Sequence, residues 1–226
     1  MSLILRLRNL LRINWLKTVY INIYYFGIKQ GFKMPIFIYR HTALLLMGGG
    51  KVVINGSVKR GMIRIGEHCL KTISRKSTPN VWFLGEGTII FNGPAYFSQG
   101  IKICVDLGGI LEIGKGVSCT GNSEIICNEK IIIGDNSLIS WNVLIMDTDG
   151  HQIVRDNGDV NIFRKPIYIG DRVWIGSRVT ILKGSHIADN CIISSGSIIN
   201  RKFEEANIVI GNRAKSEVLT KINSWK

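Results

Sequence analysis

The chain has 226 residues, 46% of them hydrophobic, which is enough for one sizeable core without requiring two domains. Its net charge of +13 is unevenly placed: residues 1–66 carry 11 Lys and Arg and no acid, the first carboxylate being Glu67, while the rest of the chain nearly balances. That asymmetry points to an anionic partner for the N-terminal third (lipid head groups, substrate or cofactor phosphates, or nucleic acid) or to a solubilising excess, and no base-reading motif accompanies it, so nucleic acid is not expected.

Residues 3–30, "LILRLRNLLRINWLKTVYINIYYFGIKQ", mix Leu, Ile, Trp and Tyr with Arg and Lys, and Leu3, Leu7, Leu10 and Leu11 fall at helical spacing. The pattern predicts a basic amphipathic helix, lying on a membrane surface or a partner, or packed over the end of the main fold. Arg12, Asn14 and Lys17 break any secretory apolar region, and no run of about 18 uninterrupted apolar residues exists to span a bilayer. A cytoplasmic protein is expected, with peripheral contact between its basic N-terminus and an anionic membrane left open. The five cysteines (Cys69, Cys104, Cys119, Cys127 and Cys191) are odd in number and lack CxxC spacing, so reduced thiols are expected and neither a disulfide framework nor a structural zinc.

From residue 50 on the texture changes to short Ile and Val runs broken by Gly and Asn. Ile occupies 133, 139 and 145, then 169, 175, 181, 187, 193 and 199, a spacing of six, with Gly after three of them at 134, 170 and 176. An α-helix scatters such residues around its surface. A short strand plus a turn, repeated, points one aliphatic residue per hexad at a central axis, and three hexads close one triangular coil. Stacked coils make a parallel β-helix whose Ile residues form ladders. The predicted organisation is a basic amphipathic segment over 1–45, the β-helix over 46–212, and a tail with a short helix over 213–226. Residues 50–130 are expected to form earlier, less regular coils, for which the hexad sets no register.

The phase survives an interruption. From Ile145 to Ile169 is one hexad plus a further whole coil's length of chain, so about 147–166 must be extruded as a loop. It opens "DTDGHQ" and carries His151, and long excursions from a rigid scaffold are often functional.

The stretch "IYIGDRVWIGSRVTILKGSHIADNCIISSGSIINRK", with the following "VIGNRAKSEV", resembles the hexapeptide-repeat O-acetyltransferases, whose parallel β-helix is left-handed. The match runs over about 110–226, and the N-terminal "NWLKTVYINIYYFGIKQGFKMPIFIYR" is similar to the subgroup acting on capsular polysaccharide, colanic acid and lipopolysaccharide sugars. The galactoside and maltose enzymes are more distant relatives. The resemblance implies an all-β left-handed parallel β-helix, a homotrimer, and acetyl-CoA bound between neighbouring prisms. The acceptor would be a sugar, sugar nucleotide or lipid-linked saccharide, and no metal is expected. Two alternatives stay open: N-acetylation of an amino-sugar nucleotide, and a non-catalytic scaffold. A γ-class carbonic anhydrase needs three converging His, whereas His41, His68, His151 and His186 are far apart in sequence. A serine acetyltransferase is expected to carry an acidic helical N-terminal domain, which residues 1–66 lack.

By the same resemblance His151 is the general base that takes the acceptor hydroxyl proton, a task suited to an imidazole with an unperturbed pKa of about 6.5. Asp149 or Asp147 would hold its other ring nitrogen. The "VWIGS" step supplies oxyanion and cofactor contacts through Trp174, Gly176 and Ser177, with Ser195 and Gly196 lining the pantetheine groove one coil on. Arg201 and Lys215 would meet the CoA phosphates. Asn128, Trp141 and Asn142 would form the acceptor pocket. Lys183 stands where relatives commonly have Pro, and no function attaches to it.

Overall fold

A computed structural model of the chain describes residues 10–67, 79–154 and 160–211. Leu3, Leu7, His68, Cys69, Arg213, Lys215 and the tail expected over 213–226 lie outside them.

Strands of two to five residues stack into three parallel sheets of eight, seven and seven strands, the faces of a left-handed parallel β-helix. No strand of that length is stable alone, and each one inside a sheet is paired by the coils on either side. The first face runs from Ile36–Ile38 to Val209–Ile210, the second from Thr42–Leu46 to Ile198–Ile199, and the third from Lys51–Ile54 to Lys202–Phe203. The hexad Ile residues fall into register as the periodicity predicts. Ile139, Ile175 and Ile193 align on the first face, Ile145, Ile181 and Ile199 on the second, and Ile133, Ile169 and Ile187 on the third. All of them are essentially buried. At about 1.5–3 kcal/mol per buried aliphatic side chain, these ladders are the main cohesion of the last coils.

Corners are held as regularly as faces. At the third-to-first corner the Asp135 carboxylate accepts from the Lys115 amide, Asp171 from the Asp135 amide, and Asp189 from the Asp171 amide, all at 2.7–2.8 Å. Gly170 precedes this turn because a Cβ there would stand 2.3 Å from the Asp189 carboxylate. Asn136, Asn142 and Asn190 take the left-handed backbone conformation at corners, which Asn tolerates better than most residues.

The irregular stretch before residue 130 has a definite register. Ile113 pairs with Ile133, and Phe91 with Ile113. Both intervals are longer than the three hexads of the later coils. The surplus sits in corners, as at Leu107 and Gly108, both at positive φ. Ladder positions here are filled by Phe91, Phe97 and Trp82, all fully buried. Longer coils with aromatic fillers erase a six-residue period without changing the fold.

Among the described residues one helix, α1 (Trp15–Gly31), closes the N-terminal end. The Asn14 side chain caps it by accepting from the Lys17 amide, and Gly27, at φ 67°, breaks its regularity. Its buried face does what the next coil would otherwise do for the edge strand. Asn22 exchanges hydrogen bonds with the Ile36 carbonyl and amide, and Thr18 accepts from the Ile38 amide at 3.0 Å. An open sheet edge is thereby protected. The β-helix begins earlier than the expected 45/46 boundary: Ile36–Ile38 and Thr42–Leu46 already pair with wall strands. The boundary is displaced because these strands carry no hexad.

Candidate active site

The chain leaves the wall at the second-to-third corner after Met146 and returns at Ile167, and the described residues 147–154 and 160–166 pair antiparallel as the two arms of a hairpin. Thr148 bridges Arg164 and Val154 bridges Val160. The Asp149 amide donates to the Phe163 carbonyl at 2.8 Å and the Lys165 amide to the Asp147 carbonyl at 3.0 Å.

The two loop aspartates have separate jobs. Asp147 is fully buried, and its two oxygens accept from the Asn128 and Glu129 amides at 2.8 and 2.9 Å. It staples the hairpin to the corner of the preceding coil. Beneath it, burial first and the Asp147 carboxylate second push the Cys127 thiol well above its ordinary pKa. Asp149 is partly exposed. Its Oδ2 pairs with Lys183 Nζ at 2.8 Å and accepts from Asn161 at 3.3 Å. Lys183 also donates to the Ile162 carbonyl at 2.7 Å. Lys183 thus grips both arms of the hairpin from the following coil, and sequence reasoning passed it over. The signal for it was a cation at a corner where a rigid Pro is usual, one coil beyond an extruded acidic loop.

His151 follows Gly150, whose φ of 77° turns the strand, and whose amide donates to Thr148 Oγ1 at 3.0 Å. The imidazole is exposed and makes no hydrogen bond or ion pair to the described residues of its own chain. Asn128 lies at the foot of the hairpin, its carbonyl accepting from Arg164 at 3.4 Å. Arg201 occupies the same corner in the last coil, its guanidinium 4.8 Å from the Phe203 ring centroid. Between them, Lys165, Tyr168, Lys183, His186, Asn200 and Lys202 line an open groove of about 570 Å³.

The remaining predicted residues gather elsewhere, at the first-to-second corner. The Arg178 amide donates to the Trp141 carbonyl at 3.1 Å and the Gly196 amide to the Ser177 carbonyl at 2.9 Å. Ser177 and Ser195 hydroxyls are 3.3 Å apart. Trp141, Asn142, Ser177, Ser195 and Gly196 therefore form one column, with open space where a Gly196 side chain would be. Trp174 stands half-exposed on the first face, two strand pairings from Val209, its indole N–H donating to Ser140 at 3.3 Å. Gly176 is buried, and its reason differs from the expected approach of a ligand. A Cβ there would lie 2.6 Å from the Ile193 carbonyl and 2.7 Å from the Ser195 amide, so it is the next coil that demands glycine. The expected acceptor residues are divided, Asn128 beside the hairpin and Trp141 and Asn142 in the serine column, with the second face between the two corners.

Residues 166–201 match the family model of the bacterial transferase hexapeptide (six repeats). The chain is 37% identical over 121 residues to the galactoside O-acetyltransferase of Escherichia coli (strain K12), covering 52% of this chain and 54% of that protein. It is 32% identical over 125 residues to the polysialic acid O-acetyltransferase of Neisseria meningitidis, covering 54% and 55%. The solved structure of NeuO, a polysialic-acid-specific acetyltransferase, aligns with 81% of this chain and 87% of its own at 18% identity and a TM-score of 0.49. The chain spans about half the length of the curated relatives it matches. Residues 166–201 carry hexapeptide repeats, and about half of the chain is similar to O-acetyltransferases that share them.

Proposed function

We propose that the protein transfers an acetyl group from acetyl-CoA to a hydroxyl of a saccharide, with His151 as general base. The observation that carries this reading is the hairpin. It is the one large departure from a regular hexad wall among the described residues, and it is fixed by Asp147 and Asp149. It leaves an imidazole exposed, with its nitrogens uncommitted to any described residue. A neutral imidazole takes the hydroxyl proton as the oxygen attacks the thioester carbonyl. The carbon–sulfur bond breaks, and the proton passes to the departing thiolate.

The serine column suits the donor: small, polar and open at Gly196, with Trp174 on the adjoining face. Asp149, committed to Lys183 and Asn161, acts by holding the hairpin rather than by touching the ring. Because hairpin and column lie on different corners, a site using both is completed by the hairpin of one chain and the column of another. Ile153, Val154, Val160 and Ile162, all exposed on the hairpin, give it an apolar surface for that neighbour in a homotrimer. The similarity to galactoside and polysialic acid enzymes supports a sugar acceptor.

The test is release of free CoA thiol from acetyl-CoA across galactosides, polysialic acid and amino-sugar nucleotides. His151→Ala is expected to lower turnover about 10²–10⁴-fold; wild-type turnover in that variant would falsify the assignment. Co-assembling His151→Ala with Trp174→Ala chains is expected to restore activity at about a quarter of sites if hairpin and column come from different chains in a cyclic trimer. An unrescued mixture overturns the shared site.

A further inference from the structure

The N-terminal cap has a second face that the β-helix does not use. While Thr18, Ile21 and Asn22 are buried against the first coil, Leu16, Tyr20 and Tyr24 stand at four-residue spacing on the outer side of α1, followed beyond the Gly27 kink by Ile28 and Phe32. All five are exposed, Leu16 to 86% and Ile28 to 69%. Such a run on a closing helix is unusual, because scattered apolar residues need no explanation and a contiguous stripe does. Beside the helix an open groove of about 550 Å³ is lined by Tyr25, Phe26, Val52, Val53 and Val58, with Lys29 among its lining residues. The local charge is mostly positive: Lys29 and Lys33 lie along the stripe, Lys51, Lys59 and Arg60 belong to the adjoining coil, and no carboxylate precedes Glu67 in the chain, Glu86 of the next coil coming near Gly49.

We propose that this face docks the protein onto an anionic lipid surface. Aliphatic and tyrosine side chains flanked by lysines match the headgroup boundary, where an apolar body is buried and a polar tip stays wet. The absence of any acid from residues 1–66 removes the repulsion that a negatively charged bilayer would otherwise meet. No described helix is long and apolar enough to cross a membrane, so the contact is an in-plane one. The helix lies across the end of the β-helix, and the wall with its hairpin stands away from the surface.

The experiment is co-sedimentation of the full chain with phosphatidylcholine vesicles and with vesicles also containing phosphatidylglycerol. Wild-type protein is expected to partition at least about tenfold more strongly onto the anionic vesicles and to be released by high salt. Leu16→Ser/Tyr24→Ser and Lys29→Glu/Lys33→Glu should each weaken binding about tenfold while the melting transition and sedimenting species stay as in wild type. Equal partition onto both vesicles, or undiminished binding by both variants, overturns the proposal. So does a change of sedimenting species in the first variant, which assigns the stripe to contact between copies. Wild-type protein gives an independent reading: brominated acyl chains should quench the emission that Trp15→Phe lacks, and unquenched Trp15 emission refutes docking through α1.

Discussion

Replacing Lys183 by Ala tests whether the hairpin is fixed by the wall. Its ammonium makes two contacts with the loop, 2.8 Å to the Asp149 carboxylate and 2.7 Å to the Ile162 carbonyl. A hydrogen bond involving a charge contributes about 1.5–3 kcal/mol when buried and an exposed ion pair about 0–1 kcal/mol. The two side chains are 23% and 39% exposed, which places the pair between those limits, so about 1–2 kcal/mol of loop stabilisation should be lost. At about 1.4 kcal/mol per factor of ten, the open hairpin becomes about 5–30 times more populated. The wall keeps its Ile ladders, so the effect is local and the melting temperature should fall by no more than about 3 °C. Hydrogen exchange reads the local term directly. The Asp149, Asn161 and Lys165 amides, all bonded across the hairpin, should exchange about 5–30 times faster, while Ile175 and Ile193 amides in the wall stay unchanged. Unaltered exchange at those three amides refutes the clamp. Asp149→Asn should reproduce most of the effect and add little to Lys183→Ala, because both remove one interaction.

The other expectations concern the wall and its corners. Asp147→Ala strips two buried amides of their acceptor and should cost about 3 kcal/mol, a fall of roughly 6–12 °C in the melting temperature; a shift under about 2 °C would show that the staple is dispensable. Gly176→Ala drives a methyl into the backbone of the next coil and should cost about 1–3 kcal/mol, measured by urea unfolding, whereas Gly196→Ala, strained only by its φ of 76° with open space around it, should cost about 1–2 kcal/mol and leave the coil stacking, read by Ile193 amide exchange, intact. Burial raises the Cys127 and Cys104 thiol pKa values above their unfolded values, so the stability tied to their protonated forms is complete below about pH 8.5 and is lost as pH rises beyond it. The melting temperature should therefore decline above about pH 9, by less in Cys127→Ala than in wild type relative to each protein's neutral value, and native Cys127 should resist iodoacetamide at pH 8. An equal decline in both proteins would show that Cys127 is not the linked group.

What the sequence disclosed follows from repetition. Ile residues at six-residue spacing fix a register because each repeat must bury the same position, and the extra chain before Ile169 can then only be a loop. Residues 50–130 obey the same rule with longer coils and with Phe91, Phe97 and Trp82 in place of Ile, so no constant period betrays them. Asp147 was illegible for a different reason. In sequence it is one of two carboxylates flanking Thr148, and only the turn at Asn128 and Glu129, brought beside it by the coil, distinguishes a buried staple from a solvated loop acid. Lys183 and Asp149 are far apart in the chain and adjacent only because one coil separates them in space. Gly176 shows the converse: the residue type was legible, but the backbone that requires it belongs to the next coil.

The hairpin is held from both sides along the prism axis. Asp147 ties its foot to the coil before it, and Lys183 reaches both arms from the coil after it. A loop tethered at a single level can pivot about that level. One tethered at two levels of a rigid stack is held in direction, because pivoting about either tether breaks the other. Farther out along the described arms Ile153, Val154 and Val160 are exposed, and His151 has no partner among the described residues. Direction is thus set within the chain, and the last contacts are left to whatever the hairpin meets. That division leaves the imidazole positioned by side chains that make no hydrogen bond or ion pair to it.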